Sequence, residues 1–217
     1  MIKIIKIYAM AIILFTSYQS ILQAAPMSYK GSTTSMATIS KDYSSLESSY
    51  VITTKDAIGL RAFKSTGDSH TIKAEGIFYL RKLMRINAIN SQTNLWLFAD
   101  AGTINVKKNL KNKDHYYLSP TLQFDYETKG LFGLISHQLL RVGHDNFDTT
   151  KIEGGFSFYE TSYKETQPWF ILKAKNINNI FNKIEYTPTL RLINKAIFMD
   201  AGISMDGKPS LHVMYTF

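Results

Sequence analysis

Histidine is the side chain that titrates near neutral pH, and this chain of 217 residues has five, together with no cysteine. The lack of thiols removes cysteine nucleophiles, thiolate metal sites, disulfide scaffolds and a lipidated N-terminal cysteine together. Two histidines have a neighbour they could work with. Ser136 and His137 are a nucleophile and a base side by side, and His144 precedes Asp145. In an extended strand, however, successive side chains leave on opposite faces, so Ser136 and His137 cannot pair while that strand is regular. His144 and Asp145 fall in a connection, and no nucleophile follows at a matching spacing. His70, His115 and His212 sit near the ends of strand-like runs, and no two histidines are spaced to share a metal ion. Gly154 and Gly155 lie within such a run and form no phosphate loop. Residue chemistry therefore predicts a protein that is not an enzyme and holds no metal and no cofactor.

The remaining chemistry-bearing residues are charges that recur at every second position. From His70 to Leu80, Ile72, Ala74, Gly76, Phe78 and Leu80 form one face, and Lys73, Glu75, Ile77, Tyr79 and Arg81 form the other. A helix would scatter these charges around its axis, whereas a strand separates them. The same separation runs through 115–127, where Tyr116, Leu118, Pro120, Leu122, Phe124 and Tyr126 oppose Asp125 and its polar neighbours. Such runs predict strands at 31–40, 44–53, 58–65, 70–82, 94–104, 115–127, 131–142, 149–160, 167–175, 184–193, 196–204 and 209–217. That is an all-β domain of twelve strands, or of eight to ten if some runs merge. The longest connections are 83–93, 106–114 and 176–183, and none is long enough to fold inward as a plug. Pro120 and Pro188 fall inside strands, which predicts a bend or bulge at each.

The N-terminus reads as an address. Lys3 and Lys6 precede an apolar run from Ile7 to Phe15, followed by a polar stretch and Ala24-Ala25. This is the layout of a secretory signal peptide over 1–24, leaving a mature domain of 25–217. The run is too short for a membrane-spanning helix, which needs about 20 residues. Loss of Lys3 and Lys6 lowers the net charge from +8 to +6.

Alternation alone does not say which face meets the core. The last strand is more informative: Leu211, Val213, Tyr215 and Phe217 alternate up to an aromatic terminal residue. With the export signal and the alternating segments, this ending resembles that of bacterial outer-membrane β-barrel proteins of the small, porin-like kind. The resemblance implies a closed antiparallel transmembrane β-barrel, both termini periplasmic, an outer-membrane location, and a terminal strand read by the barrel-assembly machinery. It also implies apolar faces turned to lipid and polar ones to the lumen. On that assignment Arg61, Lys73, Glu75, Arg81, Asp100, Asp125, Lys151, Glu153, Lys173, Glu185, Arg191 and Asp200 line the interior. Between 131 and 142 neither face is decisively polar, and the inward one is left open.

With that topology, Lys107, Lys108, Lys111 and Lys113, and Lys175 and Lys183 around the later connection, form a basic outer rim. Such a rim would attract the phosphates of outer-membrane lipid and lipopolysaccharide. Nucleic acid is not an expected partner, because the basic residues do not gather on one element. The leading expectation is a passive channel for small solutes or a structural membrane protein. The alternatives are a barrel enzyme acting on lipid or peptide at the outer mouth, with His144 and Asp145 as its candidates, and a soluble periplasmic lipid-binding barrel.

Overall fold

The computed structural model describes residues 26–217 except 68–69, 109–110, 144, 162–164 and 181–182. The expected signal peptide and His144 lie outside the described residues. The strands are β1 (Thr33–Ser40), β2 (Tyr43–Val51), β3 (Asp56–Thr66), β4 (Thr71–Asn87), β5 (Ser91–Lys108), β6 (Lys111–Thr128), β7 (Leu131–Gln138), β8 (Arg141–Val142), β9 (Asp145–Asn146), β10 (Thr149–Ser157), β11 (Gln167–Ile177), β12 (Glu185–Asn194), β13 (Ile197–Ile203) and β14 (Pro209–Thr216). Two of these are continuations. Gln138 opposite Thr121 and Val142 opposite Tyr117 keep one register along β6, so β8 prolongs β7. Asn146 opposite Arg141 likewise keeps the register of Thr149 opposite Gln138, so β9 begins β10. The wall therefore has twelve strands. Each pairs antiparallel with the next, and β14 pairs with β1 to close the barrel.

The start of β1 and the end of β14 lie at one end of the barrel, where Thr33 and Phe217 exchange backbone hydrogen bonds of 2.8 and 2.9 Å. We call this the terminal end. The connections after β1, β3, β5, β8, β11 and β13 lie at the other, the far end. Side chains alternate across the wall as the pleat requires. Leu46, Leu60, Ile77, Leu118, Leu122, Ile135, Ile152 and Leu190 are exposed on its outside, while Ser45, Ser49, Asp100, Ser119, Asp125, Ser136, Glu153, Arg191 and Asp200 are buried inside it. The terminal strand follows suit, with Met214 and Thr216 buried between Val213, Tyr215 and the exposed Phe217. The inward face of 131–142 is that of Phe132, Leu134, Ser136 and Gln138, since Ser136 pairs with Gln123 and is buried.

The expected connections are corrected. The strands β4, β5 and β6 run well into the segments expected as connections at 83–93 and 106–114. Polar residues extend them beyond the apolar belt, where backbone pairing continues without hydrophobic alternation to advertise it. Within β4 the register shifts between Lys82 and Met84, leaving Leu83 as a bulge that reverses the faces beyond it. Pro120 and Pro188 keep the register on one side, opposite Ala99 and Leu172; on the other side the ladder lapses opposite Pro120, between Gln138 and Arg141, and stops short of Pro188 at Thr189.

A wall apolar on the outside makes a specific demand on its surroundings. Leu60 is 67% exposed in a row with Ile77, Ala101 and Leu118 across β3 to β6. In lipid, Leu60→Arg is expected to lower the stability of the barrel refolded into vesicles by about 2–4 kcal/mol. Urea unfolding followed by tryptophan fluorescence measures it; an unchanged midpoint would mean that this row faces water.

Candidate functional site

The lumen is where the chain's buried polar chemistry converges, and two apolar fillings shape it. At the terminal end Met27 enters the barrel and packs with Val51, Ala57, Phe78, Leu80 and Trp96. At the far end Phe63, Ile72, Ala74, Ile104, Val106, Tyr117, Leu140, Val142, Phe147 and Ile177 point inward and are covered by Ile180. Ile180 comes from the connection after β11. That short segment leans across the mouth: His70 Nδ1 lies 3.1 Å from the carbonyl oxygen of Asn179, and Asn179 Nδ2 donates to the carbonyl of Asn146 at 2.8 Å. Asn179 has φ 58, a left-handed conformation that asparagine tolerates. A connection judged too short to plug the barrel thus covers part of its far mouth.

Three polar networks occupy the rest. On β2, β3 and β5, Arg61 meets Glu47 at 3.3 Å and Asp100 at 2.6 Å. Arg61 stands opposite Gly76, which stands opposite Gly102, so no side chain on either glycine obstructs its reach across β4. On β5 and β6, Asp125 accepts hydrogen bonds from Asn94 Nδ2 at 2.6 Å and Trp96 Nε1 at 2.7 Å. Arg85, turned inward by the bulge, donates to Asn94 Oδ1 at 2.6 Å.

The third network centres on Arg191 of β12. Its Nε and one terminal nitrogen donate to the two oxygens of Asp200 at 2.8 and 3.0 Å, and that terminal nitrogen also reaches Glu153 at 2.9 Å. Two lysines stand outside it, Lys173 on Asp200 at 2.5 Å and Lys151 on Glu153 at 3.4 Å. The guanidinium also lies over the rings of Phe132 and Phe198, 4.5 and 4.6 Å from their centroids. A planar cation between two aromatic faces and two carboxylates is held against rotation and translation alike.

Beside these networks runs a cavity of about 430 Å³. Its lining includes Pro26, Gln92 and Ile193 toward the terminal end and Ser40 and Lys208 toward the far end. At the far rim the Asp42 carboxylate, by hydrogen bond and charge, holds the Lys208 ammonium above the ordinary lysine value. Lys183, 2.8 Å away, holds Asp206 below the usual carboxylate range.

Of the twelve charges expected inside, Arg61, Asp100, Asp125, Lys151, Glu153, Lys173, Glu185, Arg191 and Asp200 lie in the networks or line the cavity. Lys73, Glu75 and Arg81 do not: all three are exposed on the outer wall. The apolar face of β4 is the inner one, because Ile72, Ala74, Phe78 and Leu80 fill the two apolar clusters. The sequence reading missed Glu47, Arg85 and Lys175. Glu47 was hidden in a serine-rich run, Arg85 beyond the bulge, and Lys175 was assigned to the rim. Among the other rim lysines, Lys107, Lys113 and Lys183 are exposed at the far end, while the side chains of Lys108 and Lys111 are outside the described residues. Ser136 is buried inside the wall and His137 is exposed outside it, so they do not meet.

A closed antiparallel barrel with an apolar exterior and a charged interior is the architecture of a small outer-membrane, porin-like barrel. No family model matches the chain, and no curated protein matches it. Among solved structures it is similar to a KdgM porin, at 11% identity and TM-score 0.47, over 86% of this chain and 99% of that one. A KdgM porin in complex with disordered oligogalacturonate gives 10% and 0.46, over 86% and 98%. LpxR from Salmonella typhimurium gives 8% and 0.47, over 85% and 99%. At these values the likeness is one of overall fold and carries no residue correspondence.

Arg191→Met leaves Glu153 and Asp200 without their shared partner in a site where the Arg191 side chain is only 6% exposed. Removing one partner of a buried ion pair costs about 3–5 kcal/mol. Urea unfolding of the refolded barrel should show a loss of that size, with a smaller one for Lys151→Met, whose side chain is 36% exposed.

Proposed function

We propose that the chain is an outer-membrane barrel that passes small solutes through a narrow lumen and is not an enzyme. The observation that carries this is the cavity of about 430 Å³ lined by residues from both ends of the wall. Along a wall roughly 25 Å tall, that volume makes a narrow path, far from the open lumen of a sixteen-strand porin. The competing structural reading draws on the apolar fillings and the Arg191 network, which would seal a barrel that conducts nothing. The separation of Ser136 from His137 by the wall leaves that pair no catalytic role.

The outer wall supports a lipid partner. Lys64 and Lys73 are directly opposite on β3 and β4, both exposed and outside the barrel, and Lys107 follows on β5 toward the far end. Like charges directly opposite repel, and a lipopolysaccharide phosphate between them relieves the repulsion. The outward Leu211, Val213 and Tyr215 and the terminal Phe217 suit recognition by the barrel-assembly machinery.

Two measurements test the reading. In expressing cells the protein should fractionate with the outer membrane and shift its gel mobility on boiling in detergent; recovery in the soluble periplasm would overturn the location. In planar bilayers the purified barrel should give small, discrete conductance steps that Ile180→Gly enlarges, because Ile180 covers part of the far mouth. Absence of any step for both proteins would leave the structural role. Lys64→Ala with Lys73→Ala should lower co-purified lipopolysaccharide severalfold without altering the steps.

A further inference from the structure

We propose that the open side of the lumen contains a binding site for a small hydroxylated organic anion, a carboxylate or phosphate, built on Lys175 with Lys151 and Lys173. It rests on the channel reading for its biological meaning and names the class of solute. Lys151 and Lys175 are directly opposite on β10 and β11, both turned inward, with Lys173 two residues from Lys175 on the same face. Like charges directly opposite are unfavourable even on a surface, and within a protein wall they are screened less by salt and water.

The nearby carboxylates do not resolve the excess. Glu153 and Asp200 are already shared, each between Arg191 and one lysine. Glu185 stands across from Lys175 in the register, and its charge and that of Asp42 favour the ammonium, but among the described residues neither carboxylate closes an ion pair with it. The Lys175 ammonium instead lies 4.6 Å from the centroid of the Tyr43 ring. β2 and β11 are far apart in the wall order, so this contact spans the lumen. On one side of it Tyr43 packs on the apolar filling; on the other lies the open cavity.

That open side supplies the second half of the site. Thr38 and Ser45 are direct partners on β1 and β2, line the same cavity, and carry hydroxyls but no charge. Ser45 is two residues from Tyr43 on the same face, which places it close to the Lys175 crossing. Ammonium groups on one wall and hydroxyls on the other suit a ligand with one anionic group and several hydroxyls. A volume of about 430 Å³ lies within the range of small-molecule pockets, roughly 300–1,000 Å³. A neutral sugar would leave the lysines unanswered, and a cation would meet them head-on.

The test is calorimetric titration of the refolded full-length barrel in detergent with glucose 6-phosphate, gluconate and glucose, checked for folding by the heat-dependent mobility shift. Binding of both anions is expected, or of the one whose head group the lysines prefer, with no heat from glucose. Lys175→Met should weaken that binding at least tenfold, Lys175→Arg should retain it, and Lys55→Met in the exposed turn after β2 should leave it unchanged. The site is overturned if neither anion binds, if glucose binds as well, or if Lys175→Met binds like the parent. Conductance of the same protein in planar bilayers separates the two ideas. A barrel that binds the anions but passes no current refutes the channel and keeps the site, whereas one that conducts without binding them does the reverse.

Discussion

Closure of the sheet through β1 and β14 is the constraint on which everything else in this molecule depends. In a bilayer a backbone amide has no hydrogen-bond partner except another strand, and an open edge leaves a whole row unpaired. Seven registered positions join β1 to β14, from Thr34 opposite Thr216 to Ser40 opposite Ser210. Once that seam is made, the pleat divides every side chain between an outside that must be apolar and an inside with a fixed, limited volume. The barrel has no freedom to move a misplaced residue to the other face without slipping a whole strand.

The interior answers this limit in two ways, on two flanks. Along β3 to β8 the far end is filled as a globular core is, with Phe63, Ile72, Ile104, Val106, Tyr117, Leu140 and Val142 under Ile180. Along β10 to β13 it is filled with charges. Burying charge is tolerable only where it is paired and hydrogen-bonded, and Arg191 meets that condition for two carboxylates at once while its plane is gripped by Phe132 and Phe198. The cavity survives between these flanks because neither device fills it. Its lining includes the hydroxyls of Thr38, Ser45 and Ser210 and the lysines of β10 and β11, with carboxylates such as Glu47, Glu127 and Glu185 beside them.

The architecture was readable in the sequence because period-two alternation is a local signal repeated twelve times, and the terminal Leu211, Val213, Tyr215 and Phe217 stated which face looks outward. That rule placed nine of the interior charges and failed on β4. There the residues at 72, 74, 78 and 80 are apolar because they fill the lumen, not because they meet lipid. A rule equating apolar with outward fails wherever a barrel is packed like a core. Only the pairing with β3, which puts Leu60 opposite Ile77 on the outside, resolves it. The bulge at Leu83 was equally unreadable, since a single extra residue leaves composition unchanged while reversing every face beyond it. Ile180 was missed for a different reason: which part of the mouth a loop crosses depends on the contacts of Asn179 with His70 and Asn146, which are remote in sequence.

The lysines of β10 and β11 mark where folding economy and function part company. An interior evolved only to be stable has no use for Lys151 facing Lys175, when a neutral residue at either position would remove the repulsion and when Thr187 and Ser136 show that uncharged polar side chains fit the same wall. Two groups of charges in this lumen are paired closely: Arg61 with Glu47 and Asp100, and Arg191 with Glu153 and Asp200. At Lys175 the lumen stays open, and the ammonium lies over the ring of Tyr43 without closing an ion pair. Local rules broken without structural compensation concentrate at sites of function. The physical reading is that the missing counter-charge belongs to whatever enters the cavity.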